Sequence, residues 1–237
     1  MKYKIMALDI DGTLTNSQKV ITEKTKNALF DFQENGGKII LASGRPTYGI
    51  IPHAKTLHLD EYGGYILAYN GGCAIDCKTN DILFQDTLES EYIPEICDVI
   101  KDYPVGINTY QGDKIVVGNE INKYTELESR INHMGIKYVE DFPDYVDFDV
   151  NKCLLQGEPE KILELEGILS EKYQDKLDQY VYHRSMPGLS LSQQLLESTA
   201  YAEAWSQFSE HLLADHVDKK YSTDDLRADH YGSQPRL

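Results

Sequence analysis

The sequence predicts an α/β fold, a parallel sheet wrapped by crossover helices, followed by a second region of α+β character. Three observations carry this expectation. Short apolar runs in "IMAL", "KIILA" and "GGYILA" each lead into a loop of small and polar residues, and helix-like segments separate them. From about residue 86, helices and hairpins replace that alternation. Near Gly188 the composition shifts: all twenty isoleucines lie at or before Ile168, and seven serines fall in the last fifty residues against six before them.

The elements follow in order. Residues 4–8 read as a buried strand that delivers Asp9 and Asp11. "TEKTKNALFDFQENGG" reads as a helix, with Thr22 placed to cap its start and Gly36 to stop it. "KIILASGRP" is a second strand ending near Ala42, and "TYGIIPHAKTLHL" predicts a helix interrupted by Pro52. "GGYILAYNGG" is a third strand, closed by Asn70-Gly71-Gly72, and "CAIDCKTNDILFQ" predicts a hairpin around Lys78–Asp81. "LESEYIPEICDVIKDY" is a helix, "VGINTYQGDKIVVGN" a hairpin turning at Gly112, and "NKYTELESRINHMG" a helix stopped by Gly135. "NKCLLQG", "PEKILELEGILSEKY" and "DQYVYHRS" read strand, helix, strand.

The expected division is therefore a core over 1–83, an inserted α+β domain over 84–184 and an atypical segment over 185–237. In the last of these, Leu195, Ala202, Trp205, Phe208 and Leu212 recur at helical spacing. "DKKYSTDDLRADHYGSQPRL" reads as a polar tail.

A net charge of −16 argues against nucleic acid as a partner, because backbone phosphates need broad Lys/Arg surfaces. No apolar run approaches membrane-spanning length. The N-terminus has no small-residue cleavage site, so a cytoplasmic location is expected, with Cys73, Cys77, Cys97 and Cys153 as reduced thiols. Cys73 and Cys77 read as hairpin residues and not as half of a metal site, because no second pair follows.

The chemistry is carried by "ALDIDGTLT". Two like charges at the end of an apolar strand repel unless a cation or a shared proton relieves them. Mg²⁺ suits such a pair, being hard, oxygen-seeking and commonly bound by one or two carboxylates plus substrate phosphate. Gly12 lets backbone N–H groups approach an anion, and Thr13 adds a hydroxyl. The bland alternative is a solvated turn with no chemistry. Two further strand ends favour the reactive reading: Ser43-Gly44-Arg45 offers a hydroxyl and a guanidinium to a phosphoryl group, and Asn70-Gly71-Gly72 follows the third strand.

"DIDGTLT", "LASGRP" and "YNGG", in that order, resemble the haloacid dehalogenase superfamily, and within it the Cof-type phosphatases of subclass IIB. The resemblance covers about residues 1–187, including "NKCLLQGEPEKI" and "YVYHRSMPG". It implies a Rossmann-like parallel-sheet core with an inserted α+β cap, and a Mg²⁺-dependent phosphatase acting on small phosphorylated metabolites. It implies that Asp9 is the nucleophile and Asp11 the acid and base, that Asp9 and the Asp11 carbonyl hold Mg²⁺, and that Gly12, Ser43 and Gly44 bind phosphate. It further implies that Arg45 and Asn70 border the substrate.

The family pattern also asks for a lysine after the cap and a G-D-x-x-N-D loop. Neither motif occurs after residue 188: Lys219, Lys220, Asp224 and Asp225 are the nearest substitutes and read better as a solvated tail. The C-terminal part of the core is then expected to be incomplete and helical, through a shifted reading frame, a fused end or divergence. The rival to an active enzyme is a remnant that binds phosphate or metal weakly. A phosphomutase is a further rival.

Overall fold

A computed structural model describes residues 4–173. The expectations for "DQYVYHRS", for a helix over 190–214, and for Lys219, Lys220, Asp224 and Asp225 lie outside the described residues.

The first sheet has strand order β1-β2-β3-β4-β5, made of β1 (Ile5–Asp9), β2 (Lys38–Ala42), β3 (Tyr65–Ala68), β4 (Cys73–Asp76) and β5 (Ile82–Gln85). The first three strands are parallel, and β4 and β5 are added antiparallel by the predicted hairpin. Both faces of β2 and β3 are buried, which explains their unbroken apolar runs. Ile39, Leu41 and Ile66 pack with Ile10, Leu14, Ile50, Leu57 and Leu59, while Ile40, Tyr65 and Leu67 pack with Ala74 on the other side. β1 is less buried than its apolar run implies, with Ala7 exposed, and β2 is its one neighbour among the described strands.

Helix α1 (Glu23–Glu34) joins β1 to β2. Thr22 caps it as expected, accepting from the Thr25 N–H, and Gly36 follows its end at φ +83°. Helix α2 (Thr47–Thr56) runs through Pro52 without interruption. The missing N–H removes one bond, while Ile50 and Ala54 remain buried against the sheet and the Pro52 carbonyl accepts from Thr56 Oγ1 at 2.8 Å. A short helix α3 (Leu59–Tyr62) precedes β3.

The second sheet has order β8-β7-β6-β9, from β6 (Val105–Gln111), β7 (Lys114–Gly118), β8 (Gly135–Tyr138) and β9 (Leu154–Gly157). Helices α4 (Tyr92–Ile100), α6 (Phe142–Tyr145) and α7 (Pro159–Tyr173) cover one face, through Ile93, Ile96, Phe142 and Leu165. Helix α5 (Lys123–Asn132) bonds to the same sheet through Thr125, whose hydroxyl donates to Gln156 in β9 at 3.0 Å. The hairpin at Gly112 forms as expected, with φ +58° there. The stop of α5 differs from expectation. His133 takes the left-handed conformation and closes the helix, and Gly135 is already in β8, opposite Lys114. Among the described residues no helix is long and apolar enough to cross a membrane. All four cysteines are free thiols.

Candidate active site

Strand register places the site. Asp9 is the last residue of β1 and lies opposite Ala42, the last of β2, which in turn lies opposite Leu67 in β3. The carboxyl ends of three parallel strands therefore share one edge of the sheet, the place where open α/β sheets bind ligands.

The loop after β1 is tightly built. Gly12 sits at φ +88°, a left-handed conformation that favours glycine. The Leu14 and Thr15 N–H groups donate to the carbonyls of Asp9 and Ile10, both at 3.0 Å. Thr13 Oγ1 donates to Asp9 Oδ2 at 3.3 Å. Asp11 is engaged by two cations. Arg45 donates to it in a fork, Nε to Oδ2 at 2.8 Å and Nη2 to Oδ1 at 2.7 Å. Lys19 Nζ lies 2.6 Å from the same Oδ1. Lys19 is aimed by a turn in which it is left-handed, and Asn16 Oδ1 accepts from the N–H groups of Gln18 and Val20.

These partners drive the two acids apart electrostatically. Burial raises the pKa of Asp9, and the neighbouring Asp11 charge adds to the rise, against lowering by bonds from Ile10 and Thr13 and by the Arg45 charge. Burial also pushes Asp11 upward, but hydrogen bonds and charge from Arg45 and Lys19 outweigh it and hold Asp11 below its ordinary value. Asp11 is thus the more readily ionised of the pair.

The loop after β2 begins with Ser43, which is buried. Its N–H donates to Leu67 O at 2.9 Å, and its Oγ accepts from the Arg45 N–H at 3.3 Å. The loop after β3 is tied to it. Asn70, left-handed at φ 60°, donates its N–H to Ser43 O at 3.3 Å, and Tyr69 donates its N–H to Arg45 O at 3.0 Å. The second sheet reaches both loops. Lys152 Nζ donates to Gly44 O at 3.1 Å, Asn151 Nδ2 donates to Gly72 O at 3.0 Å, and the Tyr69 and Tyr110 rings lie 5.8 Å apart.

Asp9, Asp11, Gly12, Ser43, Gly44, Arg45 and Asn70 therefore all lie on three linked loops at one edge. Sequence reasoning missed Lys19 and Lys152. Lys19 follows an Asn-Ser-Gln turn whose geometry no motif announces, and Lys152 comes from the segment that leads into β9.

The donors fit a hard cation in kind. A half-buried carboxylate whose pKa burial and a like charge raise is one that a cation relieves, and the Asp11 carbonyl adds a second oxygen. In number they are few: among the described residues no group of three or more His, Cys, Asp or Glu side chains could hold a metal.

Comparison with known proteins agrees with this architecture. The family model for haloacid dehalogenase-like hydrolases matches residues 6–191. A Bacillus subtilis protein named "Putative phosphatase YxeH" is 27% identical over 188 residues, covering 78% of this chain and 68% of that protein. The crystal structure of a haloacid dehalogenase-like hydrolase from Bacteroides thetaiotaomicron is 37% identical with a TM-score of 0.73, covering 77% of this chain and 68% of that one. The subclass IIB sugar phosphatase BT4131 shares the fold, with a TM-score of 0.58 at 21% identity over 69% of this chain and 62% of that one. This chain belongs to the haloacid dehalogenase-like hydrolases.

Proposed function

We propose that this chain is a Mg²⁺-dependent phosphatase that hydrolyses small phosphorylated metabolites, such as sugar phosphates or phosphorylated cofactors, through an aspartyl-phosphate. The observation that carries the reading is the placement of Asp9 and Asp11 together at the end of β1, with Asp11 held in the Arg45 fork, beside Ser43 at the end of β2. In this proposal residues 84–184 form the cap and the enzyme acts in the cytoplasm.

Asp9 attacks phosphorus, forming a carboxyl O–P bond as the bond to the leaving oxygen breaks. Asp11, protonated as the substrate binds, gives that proton to the leaving oxygen. Asp11, again a carboxylate, then takes a proton from the water that attacks the aspartyl-phosphate, which releases phosphate and restores Asp9. Arg45 and Lys19 favour the carboxylate form of Asp11, the form needed in the second half. The Ser43 hydroxyl and backbone N–H groups around Gly12 and Gly44 orient the phosphoryl group, and Arg45 and Asn70 border the substrate. Asp9 and the Asp11 carbonyl would hold Mg²⁺, which when bound supplies charge stabilisation to the phosphoryl oxygens.

The second reading is a remnant with weak binding and little turnover. The observation that favours it is the sequence after residue 188, which lacks the motif lysine and G-D-x-x-N-D loop. One experiment separates the two: initial rates on p-nitrophenyl phosphate and a panel of sugar phosphates with Mg²⁺, for the full chain and Asp9→Asn. Turnover that the substitution abolishes supports the enzyme. A rate the substitution leaves unchanged refutes the covalent mechanism, and no turnover by the full chain favours the remnant.

A further inference from the structure

The loop Ser43–Arg45 is gripped from both sides of the boundary between the two sheets. Arg45 Nη1 donates to Ile131 O in the last turn of α5 at 3.1 Å, and to Gly49 O in α2 at 3.5 Å. In the opposite direction, Lys152 donates to Gly44 O at 3.1 Å. Each half of the molecule thus places a cation on a backbone carbonyl of the other. The Ile131 carbonyl belongs to the C-terminal turn of α5, where the helix dipole favours a positive charge.

Arg45 is only 7% exposed, and its guanidinium is shared. Two nitrogens hold both oxygens of Asp11, and the third reaches the core and cap helices. A guanidinium is planar and rigid, so rotating it to follow α5 also rotates the fork that Asp11 accepts. Lys19 supplies a contrast. It binds Asp11 at the same Oδ1, but from a turn of the core and with a half-exposed, flexible side chain.

We propose that Arg45 is a positioning residue that couples the seating of α5 on the core to the orientation of the Asp11 carboxylate, with Lys152 holding the seat from the cap side. The proposal deepens the phosphatase reading and, in its catalytic consequence, rests on Asp11 acting as acid and base. Displacement of α5 pulls on Nη1 and turns the fork, so Asp11 is held in one orientation only while the cap is seated. Lysine at position 45 keeps a charge for Asp11 but cannot hold both carboxylate oxygens and Ile131 O together.

The test compares the full chain with Arg45→Lys, Lys152→Met and Lys19→Gln by amide hydrogen exchange and by kinetics on p-nitrophenyl phosphate with Mg²⁺. Coupling predicts faster exchange at both residues 9–15 and residues 129–134 in Arg45→Lys and in Lys152→Met. Lys19→Gln speeds exchange only in residues 9–20. In Arg45→Lys, kcat falls about tenfold, the equivalent of one lost charged hydrogen bond, with KM changed little. Lys152→Met is the decisive variant, because it leaves every group bonded to Asp11 in place. If it loosens 129–134 while 9–15 stays protected, the coupling is refuted. A rise in KM at constant kcat in Arg45→Lys also refutes it, and marks Arg45 as a substrate ligand. A full chain without turnover refutes the phosphatase reading, and the exchange comparison alone then decides the coupling.

Discussion

Arg45 and Asp11 form a two-point ion pair, with bonds of 2.8 Å and 2.7 Å linking the loop after β2 to the loop after β1. The pair separates the roles of two carboxylates that are only two residues apart. Asp11 has its negative charge met by guanidinium and ammonium groups, while burial is the largest influence on Asp9 and raises its pKa.

Asp9→Asn keeps the shape of the site and removes the proposed nucleophile. Turnover of p-nitrophenyl phosphate is expected to fall by about 10⁴-fold or more, as when a covalent nucleophile is lost elsewhere. Initial rates at saturating Mg²⁺ check this.

The same pair predicts opposite effects on stability. Asp11 has a lowered folded-state pKa, so it contributes stability above its unfolded value that is lost as pH falls through the folded value. Asp9 has a raised pKa, so its contribution is present at low pH and is lost as pH rises through the folded value. At pH 7 without Mg²⁺, Asp11→Asn should lower Tm and Asp9→Asn should raise it, each by a few degrees. Both differences from the parent should shrink toward pH 3. Thermal melts across pH 3–8 read the signs, and the same sign for both variants would contradict the assignment.

Gly49 lets α2 lie close against Asn132 of α5. A Cβ there would run into Asn132 Oδ1, which is buried and makes no hydrogen bond among the described residues. Gly49→Ala should therefore destabilise by about 1–3 kcal/mol through overpacking. Asn132→Ala removes the obstruction, so the double variant should be more stable than the sum of the single effects predicts. Urea melts of the four chains measure the coupling.

The thiols should be unreactive in the folded chain. Burial pushes Cys77 and Cys153 up to about 12 and Cys97 to about 11, and it raises Cys73 as well. Reaction with 5,5′-dithiobis(2-nitrobenzoic acid) at pH 8 should be slow in buffer and complete at four thiols in denaturant. A fast native phase would show that one of these sites opens.

Much of the core and the site was legible because the informative residues are local. The Asp9–Gly12 turn, the Thr22 cap, the Gly112 hairpin and the strand end at Ala42 are each set by residues adjacent in sequence. The errors arose where distant packing overrides local preference. Pro52 stays inside α2 because Ile50 and Ala54 are anchored on the sheet. Histidine takes the left-handed stop that Gly135 was expected to supply, and Gly135 is freed to start β8, a four-residue strand too short and too exposed to show a period. Arg45 could be read as a phosphate ligand from its motif. That its fork faces inward to Asp11, with a third nitrogen on α5, depends on a helix far along the chain.

The order in which these contacts occur along the chain has a consequence for synthesis on the ribosome. Asp11 and Arg45 are 34 residues apart, whereas Arg45 and its acceptor Ile131 are 86 apart. At about 5–20 residues per second, the ribosome needs roughly 4–17 s to add those 86 residues. The nascent core can close its ion pair during that interval, so α5 arrives at a guanidinium already oriented by Asp11. Codon changes that slow translation between residues 45 and 131 should then leave the yield of folded protein intact, whereas replacing Asp11 should make the late docking of α5 less efficient.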